Sequence, residues 1–308
     1  MCEVLGVGRS SYYKWLTKPI TEAEILNHEL ANLIVDYDDL FGHILGYRRM
    51  TEWINTLNNF SYNHKKVYRI MNLLGIKSKT RVKRKKYVQS TPEIAAENLL
   101  ARNFFASAPN QKWVTDVTEF KIKGSSKKIY LSAILDLYDM SIVAYEISTR
   151  NDNGLVFRTY RKALKKYPNA TPLLHSDRGF QYTSKLFKQM LQDQEITQSM
   201  SRVGCCIDNG PIEGFWGIIK SEMYYLKEFH SESELKQSIE KYINFYNHKR
   251  LQKRLNYQPP MMARNQALNS EIPIEYPIEP NNKIIEYWND IKEKQIRQLK
   301  GLEQIVMN

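Results

Sequence analysis

An α/β core built on a mixed five-stranded sheet with helices on both faces, preceded by an all-helical region, is the architecture this sequence predicts. Three observations carry the expectation. The hydrophobic period switches from helical to alternating at Lys112. From there three strand-like runs are followed by helix, strand, helix, strand and helix, an order that gives a mixed sheet covered on both sides. Ahead of Lys112 the apolar residues recur at three and four, and a basic run separates the two regions.

A chain of 308 residues with 42% hydrophobic content is long enough for two or three domains. The 45 Lys and Arg against 33 Asp and Glu leave a charge of +12, and the excess is clustered, which favours a polyanionic partner. Cys2, Cys205 and Cys206 make neither a disulfide framework nor a metal knuckle, so a reducing interior without structural zinc is expected. No apolar run approaches the roughly 20 residues of a membrane span, and the expected location is the cytoplasm, on the nucleoid.

The N-terminal region, residues 1–88, reads as helix-turn-helix-like. Val4, Leu5 and Val7 precede a short aromatic helix capped by Ser10, and a second helix runs from Glu22 to Tyr37. A third spans about Tyr47 to Leu57. After a polar turn, a fourth starts at Asn63 and is closed by Gly75, burying Val67, Ile70, Met71 and Leu74. Lys65, Lys66 and Arg69 then lie on its outward face, where a recognition helix meets phosphates and base edges. Lys77 to Lys86 holds seven basic residues in ten, with Lys83, Arg84, Lys85 and Lys86 adjacent, and reads as a linker tracking a phosphate backbone. A connecting helix over 89–107 follows, capped by Ser90 to Pro92.

The core is expected over 108–265. KWVTDVTEFKI puts Val114, Asp116, Thr118 and Phe120 on one face of a strand, and KIYLSAILDLY and SIVAYEIS complete three antiparallel strands. Asp152 to Gly154 open a helix that ends at Pro168. TPLLHSD is a short strand, a helix runs from Thr183 to about Asp193, and EITQSM is the last strand. Asp208, Asn209 and Gly210 supply turn and cap chemistry, Pro211 suits a first helical position, and Ile212, Phe215, Ile219 and Met223 form an apolar stripe. Glu213 and Lys220, two turns apart, share its edge.

An acid inside a strand is unfavourable on propensity, so Asp116 needs a partner. Asp177 sits just past a strand's carboxyl end, where open α/β sheets place their sites. The connection to Glu213 is long enough for its helix to return beside both aspartates. Three converging carboxylates repel one another, and a pair of divalent cations resolves the repulsion; an oxygen-only donor set favours Mg2+ or Mn2+ over zinc. His175 reads as ordering the surroundings rather than as a ligand, and Asp136 and Asp139 as neighbours outside the set.

These words carry a family resemblance. WVTDVTEF, HSDRGFQYTS, SRVGCCIDNGPIEGFWGIIKSE and YINFYNHKRLQKRLNYQPP resemble the DDE transposases of the IS3 insertion-sequence family, relatives of retroviral integrases. The resemblance covers roughly residues 1–265. It implies an RNase H-like catalytic core, a triad of Asp116, Asp177 and Glu213 as catalytic and metal-holding residues, and Lys220 placing transposon-end DNA. It also implies end cleavage followed by strand transfer, by in-line attack on a phosphodiester with no covalent enzyme intermediate. The implied partners are terminal inverted repeats, target DNA, further copies of the chain on DNA, and an upstream frame or its fusion product. Two other readings stay open: a nuclease that cleaves without joining, and a non-catalytic DNA-binding regulator. The tail, 266–308, matches nothing in the family; Ile285, Trp288, Ile291, Ile296, Leu299 and Leu302 mark it as an amphipathic helix for the core or another subunit.

Overall fold

The computed structural model describes residues 6, 8–16, 21–80, 96–202 and 206–278. Helix α1 spans Arg9–Leu16, α2 Glu22–Leu40, α3 Tyr47–Asn58 and α4 His64–Leu73. Thr21 and Glu24 close a reciprocal capping box that sets where α2 begins. Leu30 and Ile34 of α2 then meet Met50, Trp53 and Ile54 of α3 and Val67, Ile70 and Met71 of α4 in one small core. Between α3 and α4, Asn59 takes a left-handed conformation, and the side chain of Asn55 exchanges two hydrogen bonds with the backbone of Tyr62. That turn makes α3 and α4 a helix-turn-helix.

Leu74, expected in this core, is 41% exposed because α4 ends one residue before it. Val4, Leu5 and Val7 before α1 and the basic residues Lys83, Arg84, Lys85 and Lys86 lie outside the described residues. The start of the basic run is not loose: Lys79 donates its backbone N–H to His43 and Ser78 its hydroxyl to Ile44, which ties residues 78–79 to the helical domain.

The connecting helix expected over 89–107 is corrected by its described part. Residues 96–107 contain no helix. Met200 donates its backbone N–H to Glu97, Leu100 donates to the Ser199 hydroxyl, and Ala101 and Arg102 are left-handed. Pairing with the open edge of a sheet satisfies this backbone better than a helix would, and local propensity yields to it.

That sheet has five strands: β1 (Lys112–Lys121), β2 (Lys128–Asp136), β3 (Ile142–Ser148), β4 (Leu173–Ser176) and β5 (Gln198–Met200), in the order β3-β2-β1-β4-β5. β1 to β3 are antiparallel neighbours; β4 pairs parallel with both β1 and β5. α5 (Asn153–Lys166) and α6 (Lys185–Gln192) cover one face, where Trp113, Ile134 and Leu174 meet Val156, Tyr160 and Phe187. α7 (Gly210–Glu222) and α8 (Glu232–His248) cover the other, where Val114, Phe120 and Leu131 meet Ile212, Phe215, Ile219 and Ile239. Burying each of those α7 side chains contributes roughly 1.5–3 kcal/mol, which fixes the helix across the sheet. α9 (Pro260–Leu268) closes the described fold, its buried Arg264 bridging Asp136 and Asp139 at 2.9 and 2.8 Å.

The helical domain docks on the core through one charged cluster and one aromatic contact. Glu222, at the end of α7 and 8% exposed, accepts hydrogen bonds from Arg49 of α3 at 2.8 Å, from Arg250 at 2.9 and 3.0 Å, and from Tyr242 of α8 at 2.8 Å. Beside it the Phe41 ring lies 4.2 Å from Trp53 and 5.9 Å from Phe245. Burial alone would raise the Glu222 carboxyl; the bonds to Arg250, then the charges of Arg250 and Arg49, win and bring it from 4.5 to about 2.

Glu222→Gln is therefore expected to cost about 3–5 kcal/mol at neutral pH, since two cations lose a buried partner. Arg49→Ala should cost less, because Arg250 remains. The depressed pKa makes this stabilisation complete above pH 4.5 and lost as pH falls toward about 2. Denaturant unfolding of parent and Glu222→Gln across that window should show the stability gap closing with acid. A gap that stays constant would mean that the carboxylate is not the paired species.

Candidate active site

Asp116 lies in the middle of β1, half-buried, on the face that α7 crosses. The parallel pairing of β1 with β4 ends at Thr115 opposite Ser176. One step further along both chains stand Asp116 and Asp177, side by side where β4 stops. The sheet register therefore brings the two aspartates together, with no help from a loop.

Each carboxylate is oriented by donors. Asp116 accepts the indole N–H of Trp216 at 2.9 Å on Oδ2 and the Val117 N–H at 2.7 Å on Oδ1. Asp177 accepts the Gly179 N–H at 2.9 Å. A Cβ on Gly179 would stand 3.0 Å from that same Asp177 oxygen and 2.9 Å from Gln181 Oε1, so any side chain here would push on the Asp177 carboxylate.

The third carboxylate arrives on α7. Glu213 is in its first turn and exposed, and Trp216 follows one turn later on the same side. The tryptophan that bonds Asp116 thus puts Glu213 over the same site. The start of α7 is held there as well: Asn209 donates its side-chain amide to the Thr115 carbonyl at 3.1 Å, next to Asp116. Asp208 is buried and bonded to Asn98, Arg102 and Arg202, which drives its carboxyl far below the usual range. So neither Asp208 nor Asn209 caps the helix with its side chain, as their residue types had suggested; both anchor it instead.

The crowding shows in the electrostatics. Burial, then the charge of Asp177, and more weakly that of Glu213, push Asp116 up to about 7, against the bonds from Trp216 and Val117. Burial also raises Asp177, opposed by the Gly179 N–H. The three acids share one field. Among the described residues, a group with all ligand atoms within 4.8 Å of one another is Asp38, Asp39 and His43 at the end of α2, where His43 pairs with Asp38 at 2.7 Å.

His175 is buried, with one ring nitrogen 2.8 Å from the Ser199 hydroxyl and the other 3.1 Å from that of Ser201. Burial holds it at about 4, so it is a neutral strut between β4 and β5. Asp136 is engaged elsewhere: it accepts from the Asn110 and Tyr138 N–H groups, the Trp113 indole and Arg264. Lys220 lies two turns beyond Glu213, its ammonium 5.5 Å from the centre of the Phe120 ring. On α4, Lys65 and Arg69 are exposed and Lys66 stands over the Tyr62 ring at 5.0 Å. Sequence reasoning missed Trp216 and Asn209. The signal for Trp216 was its place one turn after Glu213, carrying an N–H that must find an acceptor when buried.

Family models for the integrase core domain match residues 106–206 and 213–268, and a model for an HTH-like domain matches residues 26–84. The chain is 38% identical over 265 residues to InsK, the transposase assigned to insertion sequence element IS150 of Escherichia coli (strain K12), covering 85% of this chain and 91% of that one. It is 41% identical over 207 residues to a transposase-like protein of Haemophilus influenzae, covering 67% and 95%. It is 28% identical over 249 residues to InsF, the transposase for insertion sequence IS3A of Escherichia coli (strain K12), covering 79% and 85%. Among solved structures, the HTLV-2 integrase catalytic core domain in complex with magnesium aligns at TM-score 0.40 and 20% identity over 50% of this chain and 96% of that one. No helix among the described residues is long and apolar enough to cross a membrane. An integrase core preceded by a helix-turn-helix-like domain, with such relatives matched along most of their length, places this chain in the IS3 family of insertion-sequence DNA transposases.

Proposed function

We propose that Asp116, Asp177 and Glu213 are the catalytic carboxylates of this transposase and that they work on phosphodiester bonds of transposon-end and target DNA. The observation that carries the reading is the setting of Asp116: a carboxylate fixed by two donors, next to Asp177 by strand register and under Glu213 by helix placement, is raised to about 7 by its burial and then by the charge of Asp177. An anionic site with this pressure against ionisation fits divalent cations. The donors are all carboxylate oxygen, which suits Mg2+ or Mn2+, and three converging carboxylates suit a pair of such ions. When bound, such ions supply Lewis-acid stabilisation of the attacking and leaving oxygens of an in-line displacement.

The chain's own residues then have defined tasks. Trp216 and Val117 hold the Asp116 carboxylate in one orientation, and the Gly179 N–H holds Asp177. Glu213, the exposed member, meets the DNA from the first turn of α7. Lys220, on the same stripe, contacts the end DNA, while Lys65, Lys66 and Arg69 of α4 read it and Lys83, Arg84, Lys85 and Lys86 neutralise phosphates. The protein works on DNA as a homo-oligomer, in the cytoplasm on the nucleoid, alone or fused to an upstream frame.

The decisive experiment is an end-cleavage and end-joining assay beside a thermal melt with and without Mn2+. Asp116→Asn, Asp177→Asn and Glu213→Gln should each abolish cleavage and joining. Each should bind end DNA and melt at or above the parental temperature without metal, since each relieves repulsion. Mn2+ should raise the parental Tm and do so less in each variant. Glu213→Gln that joins ends at the parental rate would overturn the assignment, and cleavage without joining in the parent would make the protein a nuclease.

The raised pKa adds a pH signature. Metal-free parent should lose stability as pH rises from 3.8 through about 7, while Asp116→Asn should not, so the Tm difference between them grows over that window. Trp216→Phe keeps the ring packing and deletes the N–H; divalent-ion affinity and joining should fall roughly 10–100-fold, as for other residues that orient a ligand. Equal affinity in Trp216→Phe would show that the indole only packs. For the basic run, replacing its seven cations by Gln should flatten the salt dependence of DNA binding, the slope falling by roughly 0.9 for every phosphate that is no longer neutralised.

A further inference from the structure

The turn that ends α2 gathers metal-ligating side chains of a different kind from the triad. Asp38, Asp39 and His43 offer ligand atoms that all lie within 4.8 Å of one another. Around one ion with bonds of about 2.0–2.2 Å, ligand atoms stand at most about 4.4 Å apart, so small side-chain rotations close the set. The backbone builds the cluster. Gly42 and His43 are both left-handed, and the Gly42 N–H returns to the Asp39 carbonyl and the His43 N–H to that of Asp38. The chain thus folds back and sets the imidazole against the last turn of the helix.

Two further observations point to a cation here. Asp38 is 6% exposed, and its Oδ2 lies 2.7 Å from His43 Nδ1, while its Oδ1 is buried without a hydrogen-bond partner among the described residues. A plain Asp38–His43 pair accounts for the first oxygen and leaves the second stripped of water with no donor, an unfavourable state for a carboxylate. Both oxygens share one carbon, so the unpartnered one is held at the same cluster. The other observation is the helix itself: α2 has Asp38 and Asp39 in its last turn and no basic residue there, at the end where the helix dipole disfavours anions. A bound cation relieves both.

We propose that Asp38, Asp39 and His43 hold one divalent transition-metal ion that braces the end of α2, with water filling the positions these side chains leave. The imidazole nitrogen selects Zn2+-like ions over Mg2+, which prefers oxygen alone. Two contacts leave the braced turn. Phe41, inside it, packs against Trp53 and against Phe245 of the core, and the His43 carbonyl accepts the Lys79 N–H at 3.0 Å. The ion therefore steadies both the seating of the helical domain and the start of the basic run.

Zn2+ titration of the full-length chain tests this, in an Asp116→Asn, Glu213→Gln background that takes the triad's own ions out of the measurement. Zn2+ should raise the Tm of that protein and slow exchange of the Lys79 amide. Asp39→Asn changes an exposed position, and His43→Asn puts in a residue at home in the left-handed region, so both variants keep the fold. Each should weaken Zn2+ binding by more than the roughly 10–100-fold that loss of an orienting partner costs, and remove the Tm rise. Unchanged Zn2+ affinity in either variant overturns the proposal, because the ion would then sit elsewhere on the chain. So does a Tm or a Lys79 exchange rate that Zn2+ leaves unchanged. Mg2+ that raises the Tm as much as Zn2+ at equal concentration overturns it too, since the imidazole would then not be a ligand.

Discussion

One helix lying across one strand governs this protein. The apolar stripe of α7 buries Ile212, Phe215 and Ile219 against β1, and that non-directional force would tolerate some sliding. Two directional bonds remove the freedom: Asn209 to the Thr115 carbonyl before the helix, and the Trp216 indole to Asp116 within it. Both acceptors are on β1, one residue apart. The hydrophobic contact decides which face of α7 meets the sheet, and the bonds decide the register. A shift of one residue along the helix would turn Glu213 away from the aspartates by about 100°.

The other end of the same helix has a different attachment. Glu222 gathers Arg49, Arg250 and Tyr242, so α7 touches the sheet with its first turns and the DNA-binding domain with its last. A buried carboxylate with two guanidinium partners is weak evidence for net stability, since its desolvation is costly, but it is strict about geometry. Phe41 against Phe245 adds apolar area without that strictness. The interface is thus specified mainly by a charge cluster and filled by aromatics.

Much of this was legible in the sequence, for reasons that differ by element. The strands of the core announced themselves by alternation, because one face of β1 meets α7 and the other meets α5 and α6, and the aspartates stood out as acids where strands resist them. The α3 and α4 pair was legible from its turn residues. What was hidden depends on partners far apart in the chain. The stretch 96–107 has helix formers and a cap-like sequence ahead of it, yet it follows the edge of β5 because Ser199 and Met200 offer partners that no local pattern reveals. Asp208 and Asn209 look like caps because local chemistry is all that a sequence displays; their partners, Arg102 and Thr115, are about a hundred residues away. The Arg49–Glu222 pair spans 173 positions and left no sign at all.

The edge-bound stretch also sets a ruler. Lys79 is tied to His43 in the helical domain and Glu97 to Met200 in the core. Whatever happens at the Glu222 cluster, covalent geometry limits how far these two anchor points can part. Eighteen residue steps reach about 60 Å when fully drawn out. One turn of duplex is about 34 Å long. The two anchor points can therefore part by less than two turns of duplex, however the Glu222 cluster behaves.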